Sequence, residues 1–196
     1  MPENKTERQR RQRVDAQRNT GALLEAAKRS FATSGVDAPA KEIAARAGVG
    51  VGTLYRHFPR RSDLVVAVLE REIDACADAG RALSTTHEPA IALTEWLHRY
   101  TTLLGAKRGL ATALHSGDPA FDALPDYFWE RLGPVLSDLL DAATSAGEIR
   151  ADVGAEDLLT AVALLCHPAP DTDLDFSRRM VGLLIDGLRS TDQART

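Results

Sequence analysis

The chain lacks the features by which secreted, membrane-spanning and fibrous proteins are recognised. It has two cysteines among 196 residues, so it carries no disulfide framework, and we expect a reducing, cytoplasmic setting. No apolar run approaches the roughly 18 residues of a transmembrane helix, and the polar, arginine-rich start has no signal-peptide core. With 44 % apolar and 27 % charged residues, the composition is that of a soluble globular protein without a membrane partner.

Alternation of apolar and polar residues with a period of two, which is typical of half-buried strands, is almost absent. Apolar residues instead recur at helical spacing along the chain, which predicts an all-α protein of about nine helices. The predicted helices span residues 13–34, 39–47, 51–58, 62–83, 89–105, 108–116, 121–146, 155–166 and 174–189. Residues 1–12 show no such period and are predicted to form a disordered basic tail.

Charge is distributed unevenly along the sequence. Residues 1–62 contain 13 Lys and Arg against 6 Asp and Glu, a formal charge of +7, whereas residues 63–196 contain 11 against 22, a charge of −11. This asymmetry predicts that the amino-terminal third binds a polyanion. Five arginines near the start add to its charge, and they fit a contact with the minor groove or phosphates as well as a solvated tail that contacts nothing. They are Arg8, Arg10, Arg11, Arg13 and Arg18.

Two short predicted helices lie in this basic third, on either side of Gly48-Val49-Gly50. Two helices across a glycine-containing turn are typical of a helix-turn-helix, in which the second helix enters the major groove of DNA. In that second helix Leu54 and Phe58 are four residues apart and are predicted to face inward. An ordinary helical hairpin in a core has the same pattern, so the spacing leaves both interpretations open.

A denser signature runs from Ile43 to Leu64. It reads Ile43-Ala44, Ala47-Gly48-Val49, Gly52-Thr53-Leu54-Tyr55, His57-Phe58 and then, after a basic residue, Asp63-Leu64. This pattern resembles the signature of the TetR family of bacterial transcriptional regulators. The resemblance implies a three-helix DNA-binding domain at residues 13–61, followed by a larger helical domain at residues 62–196 that binds a ligand and dimerises.

The resemblance also implies roles for individual residues. Tyr55, His57 and Arg61 match positions that contact phosphates. Val51, Thr53 and Arg56 match positions that reach into the groove, although a phosphate contact fits Arg56 equally well. Gly50 and Pro39-Ala40 stand where the family commonly has hydroxyl residues, so Lys41 and backbone N–H groups are expected to bind phosphates instead. The predicted DNA-binding set is Lys41, Gly50, Val51, Gly52, Thr53, Tyr55, Arg56, His57 and Arg61.

For the carboxy-terminal domain the resemblance implies an effector site and a dimer interface. Candidates for lining the effector site are the aromatic residues Trp96, Tyr100, Phe121, Tyr127, Phe128 and Trp129, although plain core is the alternative for each. Candidates for the interface are Leu158, Leu159, Val162, Leu165, Met180, Val181, Leu184 and Leu188. Apolar stripes at helical spacing mark a subunit interface or an intramolecular core alike.

These features predict a ligand-responsive transcriptional regulator, a repressor that binds a palindromic operator as a homodimer and is released by a small molecule. An enzyme, or an interaction module that has lost DNA binding, is the alternative. The histidines and cysteines lack metal-ligand spacing, and the chain has no Gly-x-Ser-x-Gly motif. The glycine run ending at Gly52 lacks the last glycine of a dinucleotide-binding loop. We therefore expect no catalytic residue, metal or cofactor.

Overall fold

The structure, a computed structural model, describes residues 5–108, 110–114, 116–167 and 174–189. Within these ranges the regular elements are helices, apart from an isolated bridge between Ile149 and Arg189, and the all-α prediction is confirmed. The helices are α1 Lys5–Ser34, α2 Ala40–Arg46, α3 Val51–His57, α4 Arg61–Thr86, α5 Pro89–Arg108, α6 Ala111–Leu114, α7 Leu124–Ser145, α8 Ala155–Leu165 and α9 Leu174–Leu188. A 3-10 helix, η1 Pro119–Phe121, lies between α6 and α7.

The largest difference from the predicted boundaries is at the start of α1, which begins at Lys5 instead of residue 13. Residues 1–12 show no apolar periodicity, and for that reason the sequence predicts a disordered tail there. Residues 5–12 consist mainly of Lys, Glu, Arg and Gln, which are strong helix formers, and they contain neither Gly nor Pro. They are therefore helical, contrary to the prediction, while residues 1–4 lie outside the described residues.

The described chain divides into two compact units. Unit 1 comprises the described residues of Met1–Leu69 and Gly109–Asp122, and unit 2 those of Glu70–Arg108 and Ala123–Thr196. Helix α4 begins in unit 1 and continues into unit 2. The division into functional domains at residues 13–61 and 62–196 stays a prediction.

In unit 1, α2 packs against α1 and α3. The buried side chains that these three helices contribute include Leu23, Ala27, Phe31, Ile43, Ala44 and Leu54. Gly35 follows α1, and Gly48 lies in the turn between α2 and α3. Their φ angles are 70° and 71°. Glycine adopts positive φ without the steric cost that other residues meet, so the two predicted helix stops have a backbone reason.

Gly48 and Gly50 lie in the same turn but differ in backbone conformation, with φ of 71° and −71°. We expect Gly48→Ser to lower the free energy of unfolding by about 1–2 kcal/mol, because a residue with a Cβ is strained at positive φ. Gly50 is the N-cap of α3, and nothing lies within 4 Å of an added Cβ. Gly50→Ser is therefore expected to raise the free energy of unfolding by a few tenths of a kcal/mol, because the serine hydroxyl can cap α3. Urea unfolding of both variants measures the difference, and equal effects would contradict this turn geometry.

In unit 2, α5 packs against α7, α8 and α9. A buried cluster joins side chains of these helices and α4, among them Ile73, Trp96, Tyr100, Leu132, Leu136, Leu158, Val162, Val181 and Ile185. Trp96 Nε1 donates to the Cys76 carbonyl at 3.0 Å, and Tyr100 Oη donates to the Leu159 carbonyl at 3.2 Å. Because their polar atoms are satisfied by the backbone, both large aromatic residues fit a fully buried position.

Candidate nucleic-acid interface

Helix α3 is anchored from one side and open on the other. Leu54 and Phe58 are buried, as their spacing predicts, and the Phe58 N–H donates to the Leu54 carbonyl at 2.8 Å to end the helix. On the outer face Val51 is 42 % exposed and Tyr55 is 53 % exposed. Arg56 is exposed beside them. Because these outer side chains are exposed and are not part of the packed core, they are available to contact a partner molecule.

Most residues of the predicted DNA-binding set lie at the surface of α2, α3 and the turn between them. The exposed members are Lys41, Gly50, Val51, Gly52, Tyr55 and Arg56, and the half-buried members are Thr53, His57 and Arg61. His57 Nδ1 lies 3.3 Å from Thr20 Oγ1, a contact that holds the imidazole against α1. The surface is therefore assembled within unit 1, while the contacts of its residues with DNA stay predictions.

Arg61 has a different environment from the rest of the set. Its Nη2 donates to the Ala38 carbonyl in the turn before α2, and its guanidinium carbon lies 5.9 Å from the centre of the Phe31 ring. Its Nη1 is buried, with no hydrogen-bond partner among the described residues. A guanidinium held by a carbonyl and an aromatic ring fixes the turn between α1 and α2 and is poorly placed to bind phosphate. We therefore expect Arg61 to hold this turn in place, while its contact with a phosphate stays a prediction.

The exposed cation at the start of α4 is Arg60, which the sequence analysis did not single out. Its Nη2 lies 2.6 Å from Asp63 Oδ1, and its backbone N–H donates to Asp63 Oδ2 at 2.9 Å. These bonds lower the pKa of Asp63, chiefly through the guanidinium. Nearby, the Ala120 N–H and the Ser62 hydroxyl lower the pKa of Asp118. Both carboxylates are thus ionised at neutral pH and cap the starts of α4 and η1.

We expect Arg61→Gln to lower the free energy of unfolding by about 1–3 kcal/mol, because the carbonyl of buried Ala38 loses the Arg61 donor. The salt dependence of DNA binding is expected to stay the same, whereas loss of a phosphate contact reduces the slope of log K against log salt by about 0.9. Urea unfolding and binding titrations at several salt concentrations measure the two quantities. Arg56→Gln, at an exposed position, is the control for stability. A reduced slope with unchanged stability would restore Arg61 to the phosphate contacts.

The predicted effector-lining aromatic residues are divided between the units. Phe121 belongs to unit 1, and the other five belong to unit 2. Within unit 2 the ring of Tyr100 stacks on Trp96 and meets Phe128 at a tilt, with centroid distances of 5.7 Å in both pairs. Trp129 is exposed and covers Gly133 of its own helix. Their role in effector binding stays a prediction.

Tyr127 leads to a polar group that the sequence analysis missed. Its Oη donates to Asp74 Oδ1 at 2.9 Å, and Arg131 Nε donates to the same oxygen at 2.6 Å. Partial burial and the bond to Asp74 raise the pKa of Tyr127. Asp74 lies on α4 and its two donors on α7, more than fifty positions away in sequence, so no local pattern relates them.

The predicted interface residues on α8 and α9 face mainly inward. Five are buried within the chain itself, namely Leu158, Leu159, Val162, Val181 and Leu188. Leu165, Met180 and Leu184 are half-buried. A side chain already buried in one chain has almost no surface left to bury against a partner, so these five fit the alternative of an intramolecular core. The large apolar side chains that these helices expose are Leu164, Phe176 and Leu183, at 70 %, 36 % and 65 %.

Two family profiles match this chain. Residues 23–68 match the profile of bacterial regulatory proteins of the tetR family, and residues 88–190 match the profile described as the C-terminal domain of SbtR-like transcriptional regulators. The chain belongs to the TetR family. It is therefore a DNA-binding transcriptional regulator, and the resemblance drawn from Ile43 to Leu64 is confirmed.

Similarity to other TetR regulators extends over most of the chain. A TetR transcriptional regulator from Streptomyces coelicolor is 36 % identical in sequence and superposes with a TM-score of 0.74. The alignment covers 88 % of this chain and 99 % of that chain. A TetR transcription regulatory protein from Mycobacterium vanbaalenii is 37 % identical, with a TM-score of 0.73, and the alignment covers 91 % of this chain and 99 % of that chain. An HTH-type transcriptional regulator of Staphylococcus aureus is 41 % identical over 63 residues, 32 % of this chain and 34 % of that protein. The chain thus spans about a third of the length of the curated relatives that it matches.

TetR-family proteins and the relatives named above are transcriptional regulators. Burial raises the pKa of the Cys76 thiol to about 12, so this cysteine stays protonated and unreactive at neutral pH. In the described ranges no three His, Cys, Asp or Glu residues are grouped as metal ligands, and no helix is long and apolar enough to cross a membrane. The helix-turn-helix surface lies within residues 23–68, which match the tetR-family profile, and this match makes it the functional site with the strongest support.

Proposed function

We propose that this TetR-family protein is a ligand-responsive repressor that binds a palindromic operator as a homodimer. The observation that supports the proposal best is the outer face of α3. Val51, Tyr55 and Arg56 are exposed on a helix that buried Leu54 and Phe58 hold in place. A helix anchored in this way inserts as a rigid unit into the major groove, where base edges carry a distinct pattern of donors, acceptors and methyl groups.

Each residue of this face has a contact suited to its chemistry. Val51 packs against a thymine methyl group, Arg56 donates to a guanine, and Thr53 reaches the groove between them. Phosphates are bound by a second set that fixes the register on the duplex, namely Lys41, Tyr55, His57 and the backbone N–H groups of Gly50 and Gly52. The family resemblance and the exposure of most of these residues support both assignments.

A palindromic operator requires two copies of α3 about 34 Å apart. We assign the subunit contact to the outer faces of α8 and α9, with Leu164, Phe176 and Leu183 at its centre. Support comes from their exposure, because these apolar side chains still have surface that a second chain can remove from water. The half-buried Leu165, Met180 and Leu184 lie at the edge of the same contact.

The effector is assigned to unit 2, against the half-buried Tyr127 and Phe128 with Trp96 and Tyr100 behind them. An effector that takes the Tyr127 donor from Asp74 weakens the attachment of α7 to α4. Helix α4 begins three residues after Phe58, which anchors α3. A displacement of α4 therefore changes the position of the recognition helix α3. Release follows if the effector binds the DNA-free conformation more tightly than the DNA-bound one.

A salt titration tests the proposed function. The purified protein is titrated against the intergenic DNA upstream of its own gene and against a scrambled fragment of equal length. We expect tight binding to the native fragment at ~150 mM salt, with two protomers per site and much weaker binding to the scrambled DNA. If selection from fragmented genomic DNA also yields no preferred site, the proposal of a specific operator is wrong.

A further inference from the structure

The amino-terminal part of α1 extends beyond the packed body of unit 1. Helix α1 covers 30 residues, Lys5–Ser34, and among the side chains of α1 that the structure describes the first buried one is that of Leu23. The described side chains before Asn19, those of Arg10 and residues 15–18, are all exposed. Residues 5–18, called the basic segment below, form about 20 Å of this helix.

The basic segment is polar and strongly positive. Its six cations are Lys5, Arg8, Arg10, Arg11, Arg13 and Arg18, and its two acidic residues are Glu7 and Asp15. A helix this short, without an apolar face, gains little stability from tertiary packing. Its charge makes a polyanion the partner that it fits, because arginine binds phosphate through several N–H donors at once.

One contact locates the basic segment relative to the recognition helix. Thr20 Oγ1 lies 3.3 Å from the ring of His57, the last residue of α3. At about 100° per residue, position 13 lies within roughly 20° of the direction of Thr20, and position 10 within roughly 80°. Position 13 therefore lies on the side of α1 that meets the end of α3, and position 10 lies next to that side, two to three turns before that contact.

We propose that the basic segment of α1 is a second DNA-contacting surface, which binds backbone phosphates beside the groove that α3 enters. The inference rests on the proposed function, since it takes the α3 face as the principal contact. Phosphate contacts position a protein and add affinity without reading the base sequence. The segment thus strengthens binding to operator and to unrelated DNA by the same factor.

The test compares two double variants of the full chain that lose the same charge. Arg10→Gln/Arg13→Gln removes two cations from the face defined above. Arg29→Gln/Arg81→Gln removes two cations that pair with Glu25 and Asp78. Binding to the operator fragment and to scrambled DNA is measured over a range of salt. We expect the first variant to reduce the slope of log K against log salt by about 1.8 per protomer, with equal loss on both DNAs. The control variant is expected to match the unchanged protein.

Arg10→Lys/Arg13→Lys, which keeps the charge, is expected to recover most of the slope. The thermal midpoint is expected to stay the same in all variants, because the basic segment precedes the first described buried side chain of α1 and the two ion pairs of the control are exposed and contribute little to stability. An unchanged salt slope in the glutamine variant overturns the inference. The proposed function still stands in that case if the original protein binds the operator specifically. Equal losses in the glutamine and control variants also overturn it, since net charge then explains the effect. If the unchanged protein prefers no DNA sequence, both the proposed function and this inference fail.

Discussion

Tyr55→Ala is expected to lower operator affinity roughly a thousandfold while the protein stays folded. The Tyr55 hydroxyl is assigned to a phosphate, and a hydrogen bond to a charged group contributes about 2 kcal/mol. A dimer loses it twice, about 4 kcal/mol in all, and each 1.4 kcal/mol is roughly a tenfold change in affinity. Stability is expected to change by less than about 0.5 kcal/mol, because the side chain is 53 % exposed. Fluorescence anisotropy with the operator fragment and thermal unfolding measure the two effects.

Two variants separate the possible causes of such a loss. Tyr55→Phe keeps the ring and removes only the hydroxyl, so we expect it to reproduce most of the effect. Ile91→Ala shortens a large apolar residue of similar exposure on α5, and we expect no change in DNA binding. Normal binding by Tyr55→Ala would mean that α3 is not the recognition helix. Loss through unfolding would show as a lowered thermal midpoint.

Leu164→Asp/Leu183→Asp is expected to convert the proposed dimer into a folded monomer. Leu164 and Leu183 are the most exposed of the large apolar residues on α8 and α9. The variant brings four carboxylates into an apolar contact without partners, and each costs several kcal/mol to bury. Operator affinity is expected to fall by roughly 10²–10⁴, because the two half-sites are then bound independently. Sedimentation velocity measures the mass of the particle in solution.

The controls for this variant lie inside and outside the proposed contact. Val162→Asp places a charge at a fully buried position of α8, and we expect it to unfold unit 2. Ile91→Asp adds a charge at an exposed apolar position of α5 and is expected to stay dimeric. A Leu164→Asp/Leu183→Asp variant that remains a dimer would assign the subunit contact to another surface. An unfolded one would mean that these leucines stabilise the single chain.

Much of the DNA-binding surface was predictable because its signals are local in sequence. The stops at Gly35 and Gly48, the inward pair Leu54 and Phe58 and the exposed Tyr55 depend on spacing over one or two helical turns. The start of α1 was not predictable from periodicity, because a helix of charged residues has no apolar stripe. Propensity alone predicts it, and propensity is the weaker signal.

The contacts of Arg61 within the chain and the group around Asp74 were not predictable from local patterns. Arg61 matches a family position for phosphate, yet its environment depends on Ala38 and Phe31, which are 23 and 30 positions earlier. Tyr127 was predicted as an effector or core residue, but its bond to Asp74, which Arg131 shares, forms only where α4 and α7 meet in the folded chain. Long-range pairs of this kind have no periodic signature in the sequence.

The sequence by itself determined the all-α class, the helix-turn-helix and the family, because apolar spacing, turn glycines and the run from Ile43 to Leu64 are properties of neighbouring residues. Only the tertiary structure decided which apolar side of α8 and α9 is core. Both helices carry leucines on more than one side, and burial of Val162 and Val181 leaves Leu164 and Leu183 outside. A stripe in the sequence shows that a helix face avoids water, but the packing of distant helices decides which partner covers it.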